Sequence, residues 1–134
     1  MPNALFVASS VEALPTALCG TADLVTITLP WGSLLQAVLC VNPAASEAIA
    51  RLPKPGGIIR TVVSVAERDG VPGVPALDTP AVAGVAARQA LCGLDLLEAR
   101  QATAADVAKT HSSWAKRLRA NSDRAIWLLE FMRC

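Results

Sequence analysis

The chain has 134 residues, of which 53% are hydrophobic and 17% charged. That suits one domain with a sizeable core and excludes an intrinsically disordered segment. The net charge of +1 excludes a uniformly basic or acidic protein, yet the charge is uneven: residues from Lys109 onward balance at +4 and residues 1–108 at −3. A basic C-terminal quarter points mildly to a polyanionic partner, though on charge alone a solvated helix face is the better reading.

Taken in chain order, Ala4–Ala8 (ALFVA) is a short apolar run of the kind found in a buried parallel strand. SSVEALPTAL follows as a turn and short helix, with Ser9 or Ser10 as its N-cap. Asp23–Leu29 is the next strand, ending in Leu29-Pro30-Trp31-Gly32. Ser33–Val41 reads as a helix, and Ala44–Leu52 is either its continuation past Pro43 or a second helix. Pro53-Lys54-Pro55-Gly56-Gly57 is expected to be a turn that excludes helix and central strand. Ile58–Val65 is the most strand-like run in the chain, and a Pro/Gly loop follows it. Ala81–Cys92 is a helix closed by Gly93. LDLLEARQAT holds a strand, and Thr103 with Asp106 caps the next helix. Ser112–Leu118 is expected to be helical, and Ala125–Met132 (AIWLLEFM) is a last strand. Strands alternating with helices predict an α/β fold with a mostly parallel sheet. The last two strands leave room for an antiparallel end.

Cys19, Cys40, Cys92 and Cys134 are scattered, with no CxxC spacing and no clustered histidine. They signal neither zinc nor a redox motif and read as small apolar residues of a reducing cytoplasm. The N-terminal run lacks the basic lead of a signal peptide, and no apolar stretch is long enough to cross a bilayer.

Trp31 raises the functional question. A core tryptophan needs no setting between proline and glycine at a strand end, whereas one displayed there forms a platform for something flat. Trp114, flanked by Ser113 and Lys116-Arg117, poses the same question, while Trp127 sits in an apolar strand and reads as core. Glu67 and Asp69 fit a loop turn better than a catalytic carboxylate pair. His111 reads as a helix-surface residue.

NALFVASSVEALP, ADLVTITLPWGSLL, LPKPGG, SVAERDG, GLDLLEARQATAADVAKTHSSWAKRL and DRAIWLLE occur in this order along nearly the whole chain. Together they resemble the KamB/NpmA-type class I S-adenosylmethionine-dependent methyltransferases. PWGSLL and SSWAKRL carry the specificity; KPGG is common to many methyltransferases. The resemblance implies methylation at N1 of an adenine in the decoding site of 16S rRNA within the 30S subunit. Some members confer aminoglycoside resistance. It further implies a partial Rossmann-like sheet whose first two strands are lacking, so that residues 1–134 form the C-terminal portion of one methyltransferase domain. A class I enzyme opens with a GxG loop that wraps the cofactor and an acidic residue that holds its ribose. No GxG occurs in these residues. In the family's strand order, 3-2-1-4-5-7-6, Asp23–Leu29 would then carry an apolar edge.

On the resemblance, Trp31 and Trp114 sandwich a flipped-out adenine. Ser10, Val11 and Glu12 contact the adenine ring of S-adenosylmethionine, with Val11 larger than the residue expected there. Leu29, Pro30 and Ser33 line the methyl-donor side. Ser113, Lys116, Arg117, Arg119 and Arg124 bind rRNA. Glu12 reads equally as a first-turn acid favoured by a helix dipole. A complete member is expected to act in the cytoplasm as a monomer, without membrane or metal. The alternative reading is a non-catalytic remnant or RNA-binding module without the cofactor.

Overall fold

A computed structural model describes residues 8–65, 77–110 and 125–134. The run Ala4–Ala8 lies outside this set except for Ala8. Residues Ser112–Leu118 lie outside it entirely.

Four strands form one sheet in the order β1-β2-β4-β3: β1 Ala22–Thr28, β2 Pro53–Val63, β3 Leu94–Gln101 and β4 Trp127–Arg133. β1 pairs parallel with β2, whereas β4 lies antiparallel between β2 and β3. The sheet is therefore mixed, with the antiparallel end that the sequence left room for. Among the described residues no strand lies beyond β1, and Leu24 is 46% exposed on that edge.

Helices α1 (Gly32–Val38), α2 (Pro43–Ala50) and α3 (Thr79–Ala90) cover one face. Strand residues alternate sides with a period of two. Ile27, Ile59, Val63, Leu129 and Phe131 therefore meet Leu35, Leu39, Ile49, Val82 and Val85 in the main core. The short helix α4 (Ala104–Lys109) lies on the other face, where Val107 joins Val62, Ile126 and Leu128 in a smaller cluster. Trp127 is buried in the main core, as its apolar strand predicted.

The helix boundaries follow from local chemistry. Asp78 Oδ1 accepts from the Ala81 N–H at 2.8 Å, and Pro80 occupies the first turn of α3, where its missing N–H costs nothing. Thr103 and Asp106 form the reciprocal capping box that the sequence predicted at α4. Ala44–Leu52 resolves as a second helix: α1 and α2 meet at a 75° bend, and Asn42 caps the new helix ahead of Pro43. No single helix among the described residues is long and apolar enough to cross a membrane.

Two expectations are corrected. SSVEALPTAL forms two 3-10 turns, Val11–Ala13 and Thr16–Leu18, rather than a helix. Pro15 interrupts between them, and no side chain caps the first turn at Ser10. Pro53–Gly57 belongs to β2, a central strand. Its turn-like residues are absorbed as a bulge: Ala22 pairs with Pro53 but Leu24 with Ile58. Gly56 takes φ +81, and a Cβ on Gly57 would sit 2.9 Å from the carbonyl oxygens of Ala22 and Lys54. Those oxygens belong to the backbone and cannot swing away. Gly57→Ala is therefore expected to destabilise the chain by about 1–3 kcal/mol, measured by urea unfolding. An unchanged midpoint would remove this role for the glycine.

Candidate functional site

The site forms where the chain leaves β1. Leu29 donates its N–H to Val62 O at 2.7 Å, tying the strand end to β2. The backbone then reverses sharply: Leu29 has φ +46 and Gly32 φ +59, on either side of Pro30-Trp31. A left-handed leucine is strained, and such outliers gather at functional sites. Pro30 is buried, but Trp31 is 60% exposed, in extended backbone just ahead of α1. It is displayed, not packed in the core.

The 3-10 turn Val11–Ala13 folds against this point. The Ser9 hydroxyl donates to Ala13 O at 2.9 Å, and the Ala13 N–H donates to Ser10 O at 3.1 Å. Ser10, Val11, Trp31 and Ser33 thereby line one cavity of about 320 Å3, with Val25 and Leu34 among its apolar walls. Val11 faces both ways, since it is also buried in the main core. Glu12 is exposed beside the cavity. Its carboxylate is held below the usual range, first by a backbone N–H and then by the Ser33 and Ser10 hydroxyls. Ser10 and Val11 of the turn and Ser33 of α1 share the lining, which joins the two halves of the site.

The other predicted residues are placed differently. Leu29 packs beside the small cluster on the opposite face, and neither it nor Pro30 lines the cavity. Trp114, Ser113, Lys116, Arg117, Arg119, Arg124 and His111 lie outside the described residues. Ser9 lines the cavity without having been singled out in the sequence; its only signal there is its place next to Ser10.

No charged side chain is among the described residues lining the cavity. Its serine hydroxyls and apolar walls suit a flat heteroaromatic ring. They offer nothing to the charged amino-acid end or the ribose of S-adenosylmethionine, so these residues alone do not fit the whole cofactor.

A larger cavity of about 420 Å3 lies on the other sheet face. Most of its charges are spent on one another, and Lys109 also stands on the lining. Arg60 Nε donates to Glu130 at 2.6 Å, and Arg100 donates to Glu98 at 2.6 Å and to Asp106 at 2.9 Å. The Arg100 guanidinium holds the Asp106 carboxyl well below the usual carboxylate range.

Comparison with known proteins agrees with the resemblance in the motifs. Residues 1–133 match the NpmA family, described as 16S rRNA (adenine(1408)-N(1))-methyltransferase. Proteins of that name from Streptoalloteichus hindustanus and Streptoalloteichus tenebrarius are each 33% identical over 129 residues, which is 92% of this chain and 59% of the relative. The crystal structure of the 16S rRNA methyltransferase KamB superposes with a TM-score of 0.79 at 28% identity, covering 94% of this chain and 61% of KamB. A tryptophan-to-alanine mutant of the 16S rRNA (adenine(1408)-N(1))-methyltransferase from Catenulisporales acidiphilia, solved with its cosubstrate SAM, superposes at 0.75 with 26% identity, covering 93% of this chain and 59% of the mutant. The chain thus spans about 59% of the length of the curated relatives it matches. Its partial class I methyltransferase fold and its motifs lead to one conclusion: the chain belongs to the NpmA family of 16S rRNA (adenine(1408)-N(1))-methyltransferases.

Proposed function

We propose that this chain is the adenine-holding portion of a single methyltransferase domain that acts on N1 of a flipped-out adenine in the decoding site of 16S rRNA. The observation that carries the reading is Trp31, displayed at the end of β1 beside a cavity shaped for a flat ring. An adenine inside an RNA helix keeps its N1 occupied, so it must leave the stack at a cost of a few kcal/mol. Stacking on an aromatic side chain returns about 1–3 kcal/mol per base. Trp114 is proposed as the second face of that clamp.

The chemistry asked of these residues is positioning. Adenine N1 carries a lone pair at neutral pH, so no general base is assigned. N1-methyladenine is cationic, and an indole face attracts cations. Lys116, Arg117, Arg119 and Arg124, with Ser113, are proposed to grip rRNA phosphates in a sequence-independent and salt-dependent manner. The partner is the folded 30S subunit, recognised by shape, and the place of action is the cytoplasm.

For these 134 residues alone, the second reading has its own support: a module that holds RNA without the cofactor. GxG is absent from the sequence, and no charged side chain lines the described cavity. Ser10, Val11, Glu12 and Ser33 are then one wall of a cofactor site whose other wall is a glycine loop. Calorimetry of the purified chain is expected to register no heat of S-adenosylmethionine binding. Low-micromolar affinity would overturn this reading and restore the chain as a self-sufficient enzyme.

A further inference from the structure

The turn that displays Trp31 is held in a form its sequence disfavours. Leu29 has φ +46, in the left-handed region. For an L-residue with a Cβ that region is depopulated by a factor of about 5–30. The following Pro30 adds to the conflict, because a residue before proline is pushed to extended backbone, at φ of about −120. A Leu29 free to relax would therefore swing the chain that carries the indole two residues on.

The contacts that hold it lie on the other face of the sheet. The Leu29 N–H donates to Val62 O at 2.7 Å, and its side chain packs against the small cluster of Val62, Ala102, Val107, Ile126 and Leu128. That seat is firmly built. The Ala102 N–H donates to Ile126 O at 2.6 Å, joining the strand ends that supply both residues. Over them α4 is pinned by Arg100, whose Nη2 donates to Asp106 Oδ1 at 2.9 Å, while Asp106 also closes the capping box. Leu29 lines neither of the two cavities, so its packing serves this seat.

We propose, on the adenine-holding reading of Trp31, that Leu29 is its positioning residue. Seated in the cluster beneath α4, Leu29 keeps the turn between β1 and α1 left-handed and so fixes the display of the indole. It acts through Trp31 and touches no base. Alanine at this position keeps the Cβ, and with it the backbone conflict, but loses the packing that opposes it. The turn then relaxes toward extended backbone. Apparent affinity for a flipped base falls with the fraction of chains that still present the indole.

The test uses the full chain labelled with 5-fluorotryptophan, its Trp31 and Trp127 signals assigned with Trp31→Phe and Trp127→Phe. In Leu29→Ala the fluorine signal of Trp31 is expected to narrow and move toward that of the free amino acid. The signal of Trp127, buried in the main core, stays where it was. Affinity for a labelled decoding-site hairpin falls about 5- to 30-fold. Leu29→Met refills the seat with a flexible apolar chain and restores both readings. Val107→Ala, which opens the same seat from α4, moves the Trp31 signal in the same direction. A Trp31 signal unmoved by Leu29→Ala, or lost together with that of Trp127, would overturn the proposal. A moved Trp31 signal with undiminished affinity would leave the positioning role standing and overturn the adenine-holding reading instead.

Discussion

Trp31→Ala is expected to leave the fold intact while weakening the grip on RNA about 5- to 150-fold, the equivalent of about 1–3 kcal/mol of base stacking. The fold is spared because the indole is 60% exposed and lies outside the core clusters. Surface changes of that kind stay within about 0.5 kcal/mol of stability. The binding loss follows because the exposed indole is the broad aromatic face beside the cavity, and alanine offers a flipped base nothing to stack on. Fluorescence anisotropy with a labelled decoding-site hairpin measures the affinity, and circular dichroism measures the melt. Undiminished affinity with an unchanged melt would leave Trp31 without the role proposed for it. A collapsed melt would instead make it a structural residue, contrary to its exposure.

Leu129→Ala is expected to have the largest effect on stability. Leu129 sits mid-way along β4, between Thr61 of β2 and Ala99 of β3, and its side chain is 0% exposed in the main core. β4 is the strand that joins β3 to the rest of the sheet. Removing this side chain opens a cavity between the sheet and its helices, at a cost of about 2–5 kcal/mol. Against a total stability of about 5–15 kcal/mol for a domain, that is a large fraction. The urea midpoint should fall by roughly 1–2.5 M, taking a typical slope near 2 kcal/mol/M. Leu91→Ala is the matched control. Leu91 is 88% exposed past the end of α3, so the same chemical change should leave the midpoint where it was. Equal losses at the two positions would contradict the burial pattern.

Both expectations depend on features of different legibility in the sequence. Trp31 announced itself, because proline and glycine around a tryptophan at a strand end form a local signal. So did the Thr103–Asp106 capping box, the Gly93 stop and the apolar strand of Trp127. Each rests on neighbours a few residues apart, and the chain's own chemistry suffices. The family was legible for the same reason: PWGSLL and its companion motifs are short and contiguous.

Pro53–Gly57 shows the opposite. Read locally, its prolines and glycines announce a turn. In the fold β1 and β4 flank the strand and hold it in place, and the extra residues become a bulge beside Ala22. SSVEALPTAL misled in a similar way: its N-cap serines suggested a helix that Pro15 interrupts.

What the sequence determined by itself, then, is the order of the main strands and helices, the capping box of α4 and the display of one tryptophan. Each depends on backbone preferences within a turn or two of chain. The tertiary structure alone decided which distant groups meet. It set Val11 and Ser33 on one cavity, placed Leu29 on the far side of the sheet from it, and tied Gln89 to the carbonyls of Ala37 and Val38. Such meetings depend on how helices settle on a sheet to bury their apolar faces. Packing of that kind leaves no mark in the spacing of any one segment.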